Sequence, residues 1–188
     1  MNEQSPLPYP IAAAAEMRCI ASTVGLLLDR RIMLPREHVG MRVHFADGTS
    51  ARVYRETALG GIEPRDASVL LVKFRLRLVR GWCHNVFRWE SLLNTPLFVG
   101  FPGFVSKLWL AHDQGNVYRG IYDWDGPERA EHYARSLWRV LALGCVPSSI
   151  QYRVLPGLRR DQPLDAPSLI DATTQDSADA WWRPVSVR

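Results

Sequence analysis

Residues 100–126 bring together the side chains of this sequence that are best suited to hold an organic ligand. Trp109, Tyr118 and Tyr122 offer flat aromatic faces on which a planar molecule can stack. Lys107 lies among them and supplies a cation that can stabilise an anionic group. Aromatic walls beside a cation favour the binding of a planar molecule with an acidic or phenolic group.

Two β-rich runs, 103–112 and 116–124, flank a polar, glycine-containing turn, which predicts a β-hairpin. A two-residue turn at Gln114-Gly115 fixes which residues lie opposite one another. The predicted pairs are Lys107 with Tyr122, Trp109 with Gly120, Ala111 with Tyr118, Leu110 with Arg119, and Leu108 with Ile121. Leu108 and Ile121 are expected to pack under the helices, with the aromatic residues and Lys107 on the opposite face of the sheet.

A basic strand is predicted over 68–79, where Lys73 and Arg75 alternate with apolar residues. We expect these cations on the face that carries Lys107, with Lys73 in substrate binding and Arg75 and Lys107 as anion stabilisers. Buried cations need partners. Those partners are either an anionic ligand or acidic residues of a second subunit, and structural ion pairs of the second kind are the commoner arrangement.

Two further polar residues flank a helix predicted over 83–95. His84 lies at its start and could act as a general base, since free histidine titrates near neutral pH. It could equally be an ordinary helix-start residue. Asn94, near the end of the helix, could reach a substrate pocket, although Asn-Thr-Pro is also a usual helix terminator.

Several classes of protein lack support in this sequence. Its three cysteines are far apart without CxxC spacing, which argues against a zinc site or a disulfide framework and suits a reducing cytosol. No GxSxG, HExxH, P-loop or GxGxxG motif is present, so hydrolase, zinc protease, kinase and dinucleotide-dependent activities have no sequence signal. We therefore expect no metal and no cofactor.

The charge pattern predicts neither nucleic-acid nor membrane binding. The net charge is +4 and the pI about 9.2, but the basic residues are scattered and form no nucleic-acid motif. The apolar segment 11–28 contains Glu16 and Arg18 and follows no basic leader, so we do not expect a membrane span or signal peptide. A cytoplasmic location follows as an expectation.

The order of elements predicts an α+β fold. Residues 68–155 read as β-α-β-β-α-β, the ferredoxin-like arrangement. Ahead of it we predict a helix over 11–33, from the spacing of Met17, Ile20, Val24, Leu27 and Leu28, and a hairpin around Asp47-Gly48. The predicted divisions are an N-terminal helix and hairpin extension (1–65), the ferredoxin-like domain (66–156) and an irregular C-terminal tail (157–188), in which Trp181 and Trp182 could dock onto the body.

A family resemblance appears in the same region. The run Gly103-Phe104, Lys107, Trp109, Gly120-Ile121-Tyr122, Ala130 and Tyr133 resembles the YdhR-type monooxygenase-like proteins of the dimeric α/β-barrel superfamily, which also holds the antibiotic-biosynthesis monooxygenases. The resemblance implies a homodimer whose two sheets form a barrel, with pockets between sheet and helices. Some relatives oxidise aromatic or polyketide substrates without metal or flavin, while others only bind ligands.

These observations together predict a cofactor-independent monooxygenase for an aromatic or phenolic, polyketide-like small molecule. Trp109, Tyr118 and Tyr122 would form the pocket walls. The alternative is a non-catalytic small-molecule-binding or protein-interaction module of the same fold, because fold alone does not decide chemistry.

Overall fold

An antiparallel sheet is the central element of the chain. The computed structural model describes residues 5–77, 95–112, 117–171 and 180–188. The strands are β1 (Ile32–Met33), β2 (Arg42–Phe45), β3 (Ser50–Leu59), β4 (Ala67–Arg75), β5 (Phe104–His112), β6 (Val117–Asp125), β7 (Gln151–Pro156) and β8 (Pro184–Val187). They are ordered β7-β4-β6-β5-β3-β2-β8, with β1 paired to β3.

Four helices accompany the sheet in the described residues: α1 (Tyr9–Leu28), α2 (Pro127–Gly144), α3 (Gln162–Asp165) and α4 (Ser168–Asp171). The predicted α+β class is therefore confirmed. The four strands predicted for the ferredoxin-like core are neighbours, in the order β7-β4-β6-β5. The helix predicted over 83–95 lies outside the described residues, so the complete β-α-β-β-α-β topology stays a prediction.

The predicted hairpin at Asp47-Gly48 is present, and it extends the central sheet. Gly48 has φ of 79°, which its missing side chain allows, and β3 pairs along its length with β5. The hairpin thereby adds β3 and β2 to the edge of the predicted core.

The prediction of an irregular C-terminal tail is wrong for the described residues. The tail contains α3, α4 and the strand β8, which pairs with β2. Leu164, Ile170 and Trp182 are buried against the sheet, so Trp182 docks onto the body as the sequence suggested. The apolar side chains and the free edge of β2 give this segment the burial and backbone partners that order it.

Each face of the sheet is covered by a different part of the chain. Leu70, Val72, Trp109 and Tyr122 pack with Tyr133 and Leu137 of α2. Val69, Leu71, Leu108 and Ile121 pack with Leu164, Ile170 and Trp182 of the tail. We call these the helix face and the tail face. Because the tail covers the second face, a second copy of the chain would have to dock elsewhere than on that face.

The predicted register of β5 and β6 is confirmed, but the prediction of which side chains face the helices is wrong. Lys107 lies opposite Tyr122 and Trp109 opposite Gly120, as expected. However, Leu108 and Ile121 belong to the tail face, so the helices cover Lys107 and the aromatic residues. Alternation separates two sets of side chains without saying which set meets the helices.

Helix α1 also differs from its prediction. It ends at Leu28 rather than near Met33, because Arg30 adopts φ of 53° and Ile32–Met33 pair with β3. Its buried residues are Ala12, Glu16, Cys19 and Thr23, whereas the five apolar residues that predicted the helix face outward. Gly100 approaches Cys19 so closely that a side chain at position 100 would collide with the helix.

A buried ion network holds the tail to the sheet. Glu56 of β3, only 3% exposed, accepts a contact from His38 Nδ1 at 3.0 Å and from Arg160 Nη1 at 2.9 Å. Arg160 Nε also lies 2.6 Å from Asp161 Oδ1. On β6, which β5 separates from β3, buried Asp123 accepts a hydrogen bond from Arg159 Nε at 3.0 Å. Each charge taken out of water is thus matched by an opposite charge.

Candidate functional site

A cavity of about 190 Å³ lies between the helix face of the sheet and α2. Its walls are mainly apolar and aromatic, with few polar groups. The described residues that line it are Phe74, Leu76, Leu97, Phe98, Lys107, Trp109, Tyr122, Tyr133, Leu137, Val140, Leu141, Gly144 and Cys145. A largely apolar, concave site with a few convergent polar groups is typical of small-molecule binding.

Lys107 is the charged residue of this cavity. It is 5% exposed, and its Nζ lies 3.1 Å from the ring centroid of Trp109, 4.4 Å from that of Phe98 and 4.7 Å from that of Tyr122. Among the described residues no carboxylate lies within ion-pair distance of this amine. Burial, and secondarily the charge of Arg55, hold the pKa of Lys107 well below its ordinary value.

Several residues of β3 and its surroundings hold the Trp109 ring. Its Nε1 donates a hydrogen bond to Thr57 Oγ1 at 3.2 Å. A register shift between Val53 and Arg55 brings both Tyr54 and Arg55 to the ring, with centroid distances of 6.4 Å and 5.1 Å. Arg55 is itself oriented by a 2.7 Å hydrogen bond to Thr95 Oγ1. The ring is therefore fixed before any ligand arrives.

Two tyrosines also line the cavity. The hydroxyls of Tyr122 and Tyr133 lie 3.3 Å apart in the buried core, close enough to hydrogen-bond. Burial raises the pKa of both phenols, so both stay neutral at physiological pH. Gly120 gives the Tyr122 ring its space, since a side-chain carbon at position 120 would lie 2.5 Å from Tyr122 Cε2.

Cys145 lines the same cavity but is not an activated nucleophile. Burial raises the pKa of its thiol to about 12. A cysteine reacts through its thiolate, and at neutral pH this thiol stays protonated. Cys145 therefore contributes a small apolar wall.

The structure brings three of the predicted site residues together: Lys107, Trp109 and Tyr122. Tyr118 lies on the same face of β6 as Tyr122 but does not line the cavity, and its ring stacks on Phe74 at 6.0 Å. Phe74 in turn lines the cavity. His84 and Asn94 lie outside the described residues, so their roles stay predictions.

Lys73 and Arg75 are not on the predicted face. Lys73 pairs across the sheet with Arg119, on the tail face, and its Nζ lies 5.0 Å from the Trp181 ring. Arg75 is exposed beside it, in an open cleft that also contains Asp47. The expectation of one basic and aromatic face is therefore wrong. The side-chain alternation of β4 places Lys73 and Arg75 on the face of the sheet that does not carry Lys107.

Three residues of the site were not predicted from the sequence as site residues: Phe98, Arg55 and Tyr133. Tyr133 lies among the buried aliphatic residues of α2, and its phenol in that apolar stripe was a signal that could have been followed. Phe98 follows a segment predicted as helix, and Arg55 sits in the predicted N-terminal extension. The proximity of Arg55 to Trp109 depends on the β3–β5 pairing, for which the sequence carries no local signal.

Within the described residues, no group of three or more histidine, cysteine, aspartate or glutamate side chains is arranged to hold a metal ion.

Comparison with known proteins finds only distant similarity. No family model and no curated protein matches the chain. It is similar to a solved structure from Listeria monocytogenes, an uncharacterized ferredoxin-fold protein related to antibiotic biosynthesis monooxygenases. That match has 14% identity and a TM-score of 0.39, and covers 58% of this chain and 64% of the other.

A second similar structure is that of an anthrone oxidase-like protein, with 16% identity and a TM-score of 0.37. The match covers 60% of this chain and 58% of that one. The chain thus spans less than two thirds of either protein. Function at this level of identity must be argued from the site itself.

Proposed function

We propose that this chain binds a small phenolic aromatic molecule in the cavity between sheet and α2 and oxygenates it with O₂, without a cofactor. The observation that carries this proposal is the buried Lys107 amine, surrounded by aromatic rings and with no described carboxylate within ion-pair distance. A buried amine of this kind is suited to meet an acidic ligand group.

The size and lining of the cavity support a single-ring ligand. Apolar cavities of about 150 Å³ accommodate benzene. A cavity of about 190 Å³ suits one aromatic ring with small substituents better than a multi-ring polyketide. Trp109 and Tyr122 supply ring surfaces, and the aliphatic residues of α2 exclude water.

Lys107 would act as the base that ionises the ligand. With its pKa held well below the ordinary value, the amine is free to take the phenol proton. The resulting ammonium and phenolate form an ion pair in a site of low dielectric, where their attraction is strong. Burial opposes each of the two new charges, but the step leaves the site without net charge, and the attraction between the ions offsets that cost.

The phenolate is the electron donor in the proposed reaction. It transfers electrons to O₂, a C–O bond forms at a ring carbon bearing hydrogen, and the ammonium of Lys107 returns its proton to the peroxide. Loss of water from this hydroperoxide then leaves a quinone, so that phenol and O₂ give quinone and water. Lys107 ends the cycle neutral, and orientation of the ring by Trp109 and Tyr122 supplies the remaining catalysis.

A ligand-binding protein without turnover is the second candidate. It is favoured by the neutrality of the other polar groups of the cavity, since Tyr122 and Tyr133 face each other and Cys145 stays a thiol. Such a protein would use Lys107 only to hold an acidic ligand.

Oxygen consumption with single-ring phenols separates the two candidates. We expect O₂ uptake with a quinone product, which carries one labelled oxygen when ¹⁸O₂ is supplied. The Lys107→Met variant should lose about a hundredfold or more in rate, the usual contribution of a general base. Arg129→Met, which removes an exposed surface cation, is the matched control. Tight binding without uptake would reject the oxygenase and leave the binding protein.

A further inference from the structure

Helix α1 presents an apolar surface to solvent. Of the thirteen large hydrophobic side chains that are exposed in the described part of the chain, seven lie on α1. Met17 is 68% exposed and Leu28 is 79% exposed. Their helical spacing through Ile20 and Val24 places them on one side of the helix, and an exposed apolar strip of this kind marks a contact site rather than ordinary solvent-facing surface.

The outward arc of α1 is also nearly devoid of charge. Its exposed positions carry proline, alanine, glycine and large apolar residues, and the exceptions are Arg18, Ser22 and the Tyr9 hydroxyl. The single acidic residue of the helix, Glu16, is buried. In the described residues α1 is the one helix whose length and composition would allow it to cross a bilayer, although 22% of its most apolar window is buried in the fold.

The contacts of α1 hold it flat on the body of the protein. Cys19 Sγ donates to Pro96 O at 3.1 Å, and Thr23 Oγ1 donates to the same carbonyl oxygen at 3.4 Å. Gly100 packs closely against the same side of α1, at Cys19 and Thr23. The helix therefore offers one long side to a partner while the other side stays packed.

The charges around this arc are basic with one exception. Arg18 lies within it, and Arg30 follows its C-terminal end, next to the exposed acidic residue Asp29 that caps the helix. At the N-terminal end, the guanidinium of Arg139 stacks 4.1 Å from the Tyr9 ring. A partner that fits must combine an apolar interior with an anionic surface.

We infer that the outward arc of α1 docks on an anionic lipid bilayer, with its apolar side chains in the interface and the arginines at the headgroups. A second copy of the chain fits less well. A helix pair needs a narrow apolar seam bordered by complementary charges. Here the apolar arc is broad, and a facing α1 with its described caps would offer Arg18 and Arg30 one exposed acidic side chain, Asp29 at its very end. The inference is independent of the proposed oxygenation.

Flotation of the full chain with lipid vesicles tests this docking. We expect binding to vesicles of phosphatidylcholine mixed with phosphatidylglycerol, weakening as salt is added. Val24→Glu, at a position 53% exposed, should weaken binding about tenfold or more. Val185→Glu on β8, at a position 48% exposed, is the matched control and should bind as the wild type does.

Three results would overturn the inference. They are absence of vesicle binding by the wild type, equal binding to phosphatidylcholine alone, and equal loss with both valine variants. Light scattering of the protein in solution tests whether the arc binds a second copy of the chain. A dimer that Val24→Glu dissociates, together with absence of vesicle binding, would assign the arc to self-association. Circular dichroism of each variant shows that it is folded.

Discussion

The Nζ of Lys107 lies 3.1 Å from the centroid of the Trp109 ring, with Arg55 on the same ring at 5.1 Å. Two basic side chains therefore contact the same aromatic ring. The ring offsets part of the cost of burying a charge, but each cation disfavours the other's charge. Burial and the charge of Arg55 together hold the pKa of Lys107 well below its ordinary value.

Replacing Lys107 by methionine should stabilise the fold at neutral pH. The folded-state pKa of Lys107 lies below its unfolded value of 10.5, so between the two values the unfolded chain binds more protons. Stability is therefore lost as pH falls from 10.5 toward the folded pKa. We expect Lys107→Met to raise the free energy of unfolding by about 1–3 kcal/mol at neutral pH.

The same gain should shrink as pH rises toward 10.5, where the unfolded lysine also loses its proton. Urea titrations of both proteins across this range measure the effect. A Lys107→Met variant that is less stable than the wild type throughout would mean that the amine has a partner and is not a neutral base.

Replacing Gly120 by alanine should disturb the cavity by moving the Tyr122 ring. The added carbon would lie 2.5 Å from Tyr122 Cε2, so the ring must shift toward the ligand space. Overpacking of this kind costs about 1–3 kcal/mol. Gly25→Ala is the control, because its added carbon meets nothing within 4 Å and alanine favours a helix. Thermal unfolding of both variants should move in opposite directions, and equal shifts would contradict the packing argument.

Glu16 should make the stability of the chain fall as pH rises. Burial raises its folded pKa to about 7 from an unfolded value near 4.5. The stabilising contribution is complete below the unfolded value and is lost as pH rises through the folded one. Above about pH 7, Glu16→Gln should be more stable than the wild type by about 2 kcal/mol, and the difference should vanish below 4.5.

Chemical denaturation at several pH values measures this, with Glu37→Gln as the exposed control. A Glu16→Gln variant whose stability keeps the pH dependence of the wild type would assign that dependence to another group.

Glu56 and Arg160 should behave as a coupled pair. Removing Arg160 leaves a carboxylate that is 3% exposed with less compensation, at a cost of about 3–5 kcal/mol. The double variant Glu56→Leu with Arg160→Met should cost much less than the sum of the single changes. Additive costs would show that the network does not hold the tail to the sheet.

The hairpin could be predicted from sequence because its information is local. Alternation and the turn length fix the pairing of Lys107 with Tyr122, and this register is observed. Which face of the sheet the helices cover could not be predicted in the same way. Both strand faces are apolar enough to be buried, and the residues that cover one of them, such as Ile170 and Trp182, lie far along the chain in a segment that looks polar.

For helix α1 too, the sequence predicted the element but not the side of it that packs against the protein. Its apolar spacing predicted a helix, but the packed side is the stripe of small and polar residues through Cys19 and Thr23. Close approach to Gly100 favours small side chains there. That preference comes from a tertiary contact between distant residues, which hydrophobic periodicity does not report.

The central claim is that Lys107 takes the proton of a phenol bound in the cavity, and the spectrum of a bound phenol tests it most directly. Para-nitrophenol absorbs visible light as its anion and much less as its neutral form. At a pH below that phenol's own pKa, titration with the wild-type protein should produce the anion band. Lys107→Met should bind the phenol without that band. Wild-type binding without the band, or an equal band in the variant, would contradict the claim.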